Sequence, residues 1–457
     1  MNKDLTVGSP QKAVCFYSLP MFVSVVFQQF YNMADSVIAG RFVGENALAA
    51  VGASYPVTML FMAVAVGSSI GCSVVISQLF GAKRFMRLKT AVSTIFISTA
   101  VISVVLSVLG VLCASFFMGL VNTPQNIFSD SVLYFKIYTA GFVFLYLYNI
   151  ATGVFNSLGD SKTPLMFLIG SSVGNVILDV IFVSAFKMGI AGLAWATFTA
   201  QGVACVLALF SVLKRMKAME TEKKYDEENK FSWQMLFEVS RIAVPSILQQ
   251  SFISVGNLFI QIMVNGFGSS VIAGYSAAVK LNTFAVTSIT TLGNGISGFT
   301  AQNVGAGKTE RVKEGFKAGY MLMLVVCAVA VIPFFFFGRN MLELFMDSQS
   351  QKAIETGVKF LKIVSPFYAV VAAKLAADGV LRGSGAMGCF MVSTFTDLIL
   401  RVLISFVLAF PLGLGSDGIW MSWPIGWVIS SALNGLKVCF ATSTGAHPAW
   451  MARKYPD

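Results

Sequence analysis

Long apolar stretches are the feature that most limits what this chain of 457 residues can fold into. A helix needs about 20 mostly apolar residues to cross the hydrocarbon core of a bilayer, and twelve stretches reach that length. Charged residues make up only 12% of the chain, about half of their usual share in a soluble domain. The sequence therefore predicts an all-α, polytopic membrane protein and excludes a soluble enzyme. The predicted spans lie at about residues 14–40, 47–77, 90–119, 131–156, 164–186, 190–213, 241–266, 271–301, 316–338, 353–381, 387–411 and 418–441.

The distribution of Lys and Arg predicts the orientation of these helices. With the N-terminus placed in the cytoplasm, 22 Lys and Arg residues fall on the cytoplasmic side of the membrane and 4 on the opposite side. Cytoplasmic loops of membrane proteins carry such an excess of basic residues. The asymmetry predicts twelve transmembrane helices with both termini cytoplasmic. It also accounts for the net charge of +11 without a nucleic-acid partner.

The two sets of six spans repeat one another. The segment from Gln78 to Arg87 has its counterpart 224 residues later, from Gln302 to Arg311. Because six is an even number, the two halves share one orientation, and a pseudo-two-fold axis is expected along the membrane normal. Many transporters are built from such repeats and bind their substrate where the repeats meet. We therefore expect an N-lobe of residues 1–213, a cytoplasmic linker of residues 214–240 and a C-lobe of residues 241–457. Further paired positions are Pro20 with Pro245, Asn32 with Asn257, and Gly153 with Gly379.

Two turn motifs carry a resemblance to a known family. The sequence Q-x-x-G-A follows the second span of each half, at residues 78–82 and 302–306. The fourth span ends in Gly153-Val-Phe-Asn-Ser-Leu-Gly-Asp-Ser-Lys-Thr-Pro164, and its counterpart is Gly379-Val-Leu-Arg-Gly-Ser-Gly385. Together with the six-plus-six layout, which covers nearly the whole chain, these motifs resemble the multidrug and toxic compound extrusion (MATE) family of bacterial secondary transporters.

The resemblance implies a function and a mechanism. Members of this family export amphipathic, often cationic drugs or metabolites in exchange for protons or sodium ions, and two lobes arranged as a V alternate between outward and inward openings. For this chain it implies a multidrug antiporter of the bacterial cytoplasmic membrane that acts as a monomer. The expected partners are small amphipathic molecules and membrane lipid. The expected coupling ion is a proton or sodium, with no cofactor and no resident metal.

Four polar residues of the first lobe are candidates for a cation-coupling site. Asp35 precedes the outer end of the first span by about five residues, and Asp179 precedes that of the fifth by about seven. Asn175 lies one turn from Asp179 on the same face, and Thr197 lies about seven residues into the sixth span. At 1.5 Å rise per residue, all four lie at a similar depth in the outer half of the bilayer. The resemblance matches the same set: an Asp in the first helix, an Asn and an Asp four apart in the fifth, and a Thr in the sixth.

An ionisable residue within a span is a candidate functional residue, because its insertion costs about 2.5–3.5 kcal/mol. Two carboxylates that share a poorly hydrated pocket cannot both stay ionised cheaply. Asp35 and Asp179 could therefore take up a proton from outside and release it inside. Carboxylates with Asn and Thr oxygens also suit a sodium ion. A third interpretation is structural, with both carboxyl groups merely hydrogen-bonded to neighbouring helices.

Three further residues of the first span are linked to this hypothesis. Gln28 and Tyr31, two turns and one turn before Asp35, are expected to face the same cavity and contact substrate, although packing is nearly as good an explanation. Pro20 is a candidate kink, since an interior proline removes one backbone hydrogen bond and clashes with the preceding turn. We expect the helix to bend there when Asp35 is protonated.

The second lobe carries a different set of intramembrane charges. Opposite charges four residues apart lie on one face of a helix and can pair, and cross-helix pairing of Lys374 with Asp397 is geometrically possible. The sequence favours a buried ion-pair network that fixes packing, with a second cation or substrate site at Asp378 or Asp397 as the alternative. Residues 241–266 hold no carboxylate, although some family members have one there, which disfavours sodium coupling of that kind. The network is predicted to comprise Lys280, Lys374, Asp378, Arg382, Asp397 and Arg401.

Three other functions compete with the antiporter. A pore-forming or purely structural membrane protein is less favoured than a flippase, and electrical conductance without exchange would support it. A lipid-linked oligosaccharide flippase of the same wider superfamily would need a strongly cationic cleft for a pyrophosphate, and Lys280, Lys374 and Arg401 keep that alternative open. An enzyme is disfavoured because no nucleophile, base and orienting group come together. The seven cysteines lie singly in apolar stretches, so neither a disulfide framework nor a zinc site is indicated.

Overall fold

The computed structural model describes residues 4–38, 42–219, 230–343 and 351–443. Within these ranges the chain folds into helices and turns, and it contains no strand. The middle of the predicted linker and the end of the C-terminal tail lie outside the described residues. The described part of each predicted span is helical, so the apolar runs identified the helices correctly.

The described residues of the first half of the chain form eight α-helices. Helix α7 continues into one turn of π-helix, Ile181–Ala185. The helices are α1 (Pro10–Ile38), α2 (Glu45–Gly81), α3 (Phe85–Leu112), α4 (Ala114–Leu120), α5 (Gln125–Ala140), α6 (Phe142–Ser157), α7 (Lys162–Val180) and α8 (Gly189–Lys217).

In the second half, residues 230–343 and 351–443 also form eight α-helices. A short 3-10 turn, Ser365–Phe367, separates α13 from α14. The helices are α9 (Trp233–Asn265), α10 (Ser269–Gly305), α11 (Thr309–Phe336), α12 (Gly338–Glu343), α13 (Gln351–Val364), α14 (Tyr368–Gly383), α15 (Met387–Ala409) and α16 (Ser416–Ser443).

Three predicted spans are broken rather than continuous, and the span at 90–119 divides at Cys113 into α3 and α4. The span at 131–156 is the pair α5 and α6, which bend by 46° at Gly141. The span at 353–381 is interrupted at Pro366, which has no N–H for a helical hydrogen bond. Among the described residues, nine helices are long and apolar enough to cross a membrane, and the α5–α6 pair makes ten. The long helices α10 and α16 complete the set of twelve predicted spans without meeting that apolarity test.

The packing of the chain divides it into two compact units. Unit 1 is Met1–Asp4 with Val23–Ser251, and unit 2 is Leu5–Phe22 with Phe252–Asp457. Helix α1 therefore begins in unit 2 and ends in unit 1, whereas α9 begins in unit 1 and ends in unit 2. The lobe boundaries drawn from the repeat, 1–213 and 241–457, stay a prediction, because the units follow packing and not repetition.

The early part of α1 is tied into unit 2 by the residues that precede it. The N–H of Leu5 donates to Gln302 Oε1 at 3.0 Å, and Lys308 Nζ donates to the carbonyl of Thr6 at 2.9 Å. Arg311 donates to the carbonyl of Gly8 at 2.8 Å. We call residues 5–8 the N-terminal strap. It binds the Q-x-x-G-A turn of the second half, so that motif acts here as an attachment point.

The early part of α9 is held in unit 1 at equivalent positions. Arg87, the counterpart of Arg311, forms an ion pair with Glu238 at 3.2 Å. A Cβ added to Gly71 of α2 would lie 2.3 Å from the Ala243 Cα of α9. In unit 2, a Cβ added to Gly295 of α10 would lie 2.2 Å from Ser18 Oγ of α1. The second helix of each half thus uses a glycine to pack closely against a first helix.

Candidate functional site

Three helices of unit 1 carry the four residues of the predicted coupling site: α1, α7 and α8. Helix α7 is anchored where it begins, because Asp160 Oδ1 accepts from the Thr163 N–H at 3.1 Å and Oδ2 from its hydroxyl at 2.8 Å. Arg215 of α8 also donates to the Asp160 carboxylate. This connection ties α7 and α8 together at one end and leaves Asn175 and Asp179 about four and five turns away along one face of α7.

Asn175 is the centre of a hydrogen-bond network. Its amide lies 2.5 Å from the Tyr31 hydroxyl of α1. In the orientation that satisfies all its partners, Asn175 Nδ2 donates to Tyr31 and to Asp179 Oδ2 at 3.3 Å, while Oδ1 accepts from the Thr197 N–H at 3.1 Å. The side chain of Asn175 is only 2% exposed. One buried amide therefore links all three helices of the site.

The Asp35 and Asp179 carboxyl groups lie within hydrogen-bonding reach of each other. Asp179 is fully buried, and no donor among the described residues reaches its Oδ1. Two carboxyl groups can hydrogen-bond directly only if one of them carries a proton, because an ionised carboxylate only accepts. The geometry can thus hold one proton, or a small cation, between the two groups.

The structure adds Tyr134 of α5, which the sequence reasoning missed. Tyr134 interacts electrostatically with both Asp35 and Asp179, and its ring stacks on Tyr138 at 6.3 Å between centroids. The only signal in the sequence was the spacing of four residues between these two tyrosines in one span. Tyr31, which was predicted to face the cavity, lies in the same network.

The other predicted residues of the first span lie apart from this network. Gln28 is exposed on α1. Pro20 is buried and lies in unit 2, while α1 continues through it as one helix into unit 1. The hydroxyl of Thr197 donates to the carbonyl of Leu193 at 3.1 Å, so this residue meets Asn175 through its backbone and not through its hydroxyl.

The π-helical turn begins two residues after Asp179. The N–H of Phe186 donates to the carbonyl of Ile181 at 3.1 Å, five residues earlier. Such turns are rare and are frequently found at functional sites. A π-helical turn holds one residue more than an α-helical turn. The residues after it are therefore rotated about the helix axis relative to the face of α7 that bears Asp179.

The predicted charges of unit 2 form a second buried group. Lys374 Nζ lies 3.2 Å from Asp378 Oδ2 on its own helix and 3.2 Å from Asp397 Oδ2 on α15. All three side chains are less than 10% exposed. The lysine therefore pairs with both carboxylates and connects α14 with α15.

Two buried arginines flank this group. Arg382 Nη2 donates to Asn294 Oδ1 at 2.6 Å and Nε to Ser297 Oγ at 3.4 Å, both on α10. Arg401 Nη2 donates to Asn257 Oδ1 of α9 at 3.2 Å, and its guanidinium lies 4.8 Å from the centroid of the Trp423 ring. Lys280, by contrast, is an exposed residue of α10.

With the fold and both charged groups described, comparison with known proteins identifies the family. The MatE family model matches residues 20–181 and again residues 245–407, once in each half. The chain belongs to the MatE family. The two matches begin at the paired prolines Pro20 and Pro245, in agreement with the repeat found in the sequence. A model for beta-galactosidase also matches residues 428–457, a range too short to indicate a fold or an activity.

Similar proteins cover most of the length of this MatE protein. The probable multidrug resistance protein YoeA of Bacillus subtilis (strain 168) is 27% identical over 427 residues, 92% of each chain. A protein named FAD transporter, from Shewanella oneidensis, is 24% identical and covers 72% of this chain and 73% of its own. A solved MOP superfamily transporter from Pyrococcus furiosus, described by a "reverse polarity of binding pocket", has a TM-score of 0.90 at 20% identity, covering 97% and 98% of the two chains.

These findings confirm three predictions from the sequence. The protein is a MATE family member, its fold is that of an all-α polytopic membrane protein, and it is a multi-pass membrane transporter. The resemblance inferred from the Q-x-x-G-A turns and the six-plus-six layout was therefore correct. The roles of the individual site residues remain predictions.

Proposed function

We propose that this protein is a cation-coupled antiporter that exports amphipathic, often cationic small molecules across the bacterial cytoplasmic membrane. The observation that carries the proposal is the pair of carboxyl groups, Asp35 and Asp179, within hydrogen-bonding reach in a buried network. A single proton satisfies such a pair, and its release leaves two negative charges close together in a poorly hydrated site. The excess of basic residues on one side supports cytoplasmic termini.

The coupling cycle follows from the charge of this pair. When one carboxyl group is protonated, the network of Tyr31, Asn175 and Asp179 is complete and carries a single negative charge. When the proton leaves, the extra negative charge favours binding of a cationic substrate in its place. Proton and substrate thus compete for one site, which is the requirement for exchange under alternating access. Sodium is the second candidate ion, because oxygen ligands suit a hard cation.

The flippase alternative is less well supported by the charges of unit 2. A pyrophosphate needs several cationic groups, but Lys374 is paired with two carboxylates and Arg382 is bonded to Asn294 and Ser297. Of the predicted cationic residues, Arg401 has an amide as its hydrogen-bond partner, and Lys280 is exposed rather than buried with the others. The names of the relatives also point to drugs and to a nucleotide cofactor, and not to lipid-linked sugars.

The decisive experiment uses the purified protein in liposomes with either a pH gradient, acidic inside, or a sodium gradient. Uptake of the fluorescent cation ethidium is followed for wild type, Asp35→Asn and Asp179→Asn. The matched control is Asp130→Asn, which removes a carboxylate from α5 of the same unit. We expect uptake driven by the pH gradient, a loss of at least 100-fold in either site variant, and normal uptake in the control.

The other outcomes distinguish the alternatives. Uptake driven only by sodium would keep the site and change the ion. Normal pH-driven uptake in both variants would overturn the assignment of the coupling site and leave the structural interpretation of the pair. Absence of uptake under either gradient would favour a lipid-linked substrate.

A further inference from the structure

The buried charges of unit 2 do not balance. Among the described residues, Lys374, Arg382 and Arg401 face only Asp378 and Asp397, and all five are at most 6% exposed. One positive charge is therefore in excess. An uncompensated charge in a poorly hydrated interior is costly, so its retention calls for a counter-ion that the described side chains do not supply.

The excess charge is located at Arg401. Lys374 lies 3.2 Å from both carboxylates, and Arg382 donates to Asn294 and Ser297. A guanidinium has five N–H groups, whereas Arg401 makes one hydrogen bond, to Asn257, within the described part of the chain. Its Nε is buried and lacks an acceptor there. Arg401 is thus a 94% buried cation whose donors are largely unused.

The orientation of Arg401 suits an anion. Its guanidinium stacks near the Trp423 ring at 4.8 Å, and a Cβ added to Gly256 of α9 would lie 3.3 Å from Nη2, so both neighbours restrict its position. A guanidinium fixed against an aromatic face presents its N–H groups edge-on. That edge matches the two oxygens of a carboxylate or phosphate, which accept paired hydrogen bonds.

Access to this group is provided by α9. Asn257, the partner of Arg401, is exposed, and so is Asn265, two turns further along. With Ser254 and Gln261 these residues form a polar stripe spaced by three or four positions, whereas Val255, Phe259 and Ile262 form an apolar one. A polar stripe on a membrane-spanning helix lines a hydrated space or a protein contact rather than lipid. A ligand can therefore reach the Arg401 edge along the exposed side of Asn257.

We propose that Arg401 and Asn257 form an anion-binding subsite in unit 2, which takes the carboxylate or phosphate group of an exported amphipathic molecule. The Arg401 guanidinium supplies the charge, and the Asn257 amide supplies a further donor. This proposal rests on the proposed transport function and extends its substrate class from cations to anions and zwitterions. Asp397 Oδ1, one turn from Arg401 and also without a donor among the described residues, is the competing partner that Arg401 can take when the subsite is empty.

The test is a binding measurement with three matched probes. The protein is placed in nanodiscs of phosphatidylcholine and titrated with 2-naphthoate, 2-naphthyl phosphate and the neutral 2-naphthamide by isothermal calorimetry. We expect both anions to bind at least tenfold more tightly than the amide. Arg401→Gln should reduce that preference to about one, and Arg401→Lys should keep only part of it, because an ammonium cannot bind both oxygens edge-on.

Two controls protect the result against a folding defect. Arg382→Gln removes another buried arginine, but one whose side chain already has hydrogen-bond partners within the protein. The folded variant should keep the preference for anions over the amide. Asn257→Ala changes an exposed residue and should lower the preference at least threefold, while Asn32→Ala, at the paired exposed position of the first half, should not. Equal binding of naphthoate and naphthamide to wild type, or an unchanged preference in Arg401→Gln, would overturn the proposal.

Replacing part of the lipid by phosphatidylglycerol identifies the source of the anion. If naphthoate affinity stays within threefold, the subsite serves a small molecule, as proposed. Phosphatidylglycerol could instead lower naphthoate affinity more than tenfold in wild type but not in Arg401→Gln. That result would assign the subsite to a lipid phosphate and overturn the proposal that an exported molecule occupies it. The binding measurement uses no ion gradient. Failure of gradient-driven uptake would therefore count against the proposed antiport and not against the anion subsite.

Discussion

The two units bury charge in opposite ways. In unit 1, Asp35 and Asp179 lie together, and their neighbours are an amide, a backbone N–H and tyrosine hydroxyls. In unit 2, Lys374 takes two carboxylates as partners and the arginines have amide partners. Unit 1 therefore has like charges that a mobile cation must neutralise, whereas unit 2 compensates most of its charge internally. The first arrangement suits an exchanged ion, and the second suits stable packing with one cationic edge left over.

The largest expected effect tests this difference through stability. Lys374→Met would leave Asp378 and Asp397 buried without their common cation, and breaking a buried ion pair costs about 3–5 kcal/mol. Asp179→Asn removes one of two like charges and should leave stability unchanged or raise it. Thermal unfolding of the detergent-solubilised protein measures both variants. Lys317→Met, which changes an exposed lysine of α11 in the same unit, is the matched control and should unfold as wild type does.

A contrary result would remove the distinction between the units. If Asp179→Asn lowered the unfolding temperature as much as Lys374→Met, both groups would serve packing. If Lys374→Met unfolded normally but abolished transport, unit 2 would hold the second cation site that the sequence left open at Asp378 or Asp397.

Much of this comparison was accessible from the sequence. The intramembrane charges could be found because they interrupt apolar runs, and the spacing of Asn175 and Asp179 placed both on one face of a helix. The repeat and the motifs identified the family. The depth argument also placed Asp35 near Asp179, since both lie in spans of known direction.

The remaining features depend on tertiary packing. Tyr134 reaches the carboxyl pair only because α5 lies against that part of unit 1, and no periodicity reports such a contact. The bend at Gly141 is a local backbone feature inside an apolar run. The passage of α1 and α9 from one unit to the other is decided by close packing at Gly295 and Gly71, which pattern reasoning can explain only once the partner helices are known.

A smaller effect is expected at the contacts that attach the beginning of α1 to unit 2 and the beginning of α9 to unit 1. Arg311 donates to three strap carbonyls and to Asn303, and its counterpart Arg87 forms an ion pair with Glu238. Arg311→Ala should therefore cost about 2 kcal/mol in opening the strap, and Arg87→Ala about 0.5–1 kcal/mol locally. Hydrogen exchange of residues 5–8 and 230–240 measures each opening. Equal protection losses in the two segments would show that the strap adds nothing beyond the equivalent ion pair.

The smallest expected effect tests how far the acidic group of unit 1 extends. Tyr134→Phe removes a hydroxyl that interacts electrostatically with both carboxylates and should lower pH-driven ethidium uptake about two- to fivefold, which corresponds to about 0.5–1 kcal/mol. Tyr138→Phe is the matched control, because its ring stacks on Tyr134 and it lies one turn further along the same helix. Equal losses in both variants would assign the effect to the stacked rings. A loss confined to Tyr134→Phe would make α5 a fourth helix of the coupling site, which the spacing of polar residues in α1, α7 and α8 did not indicate.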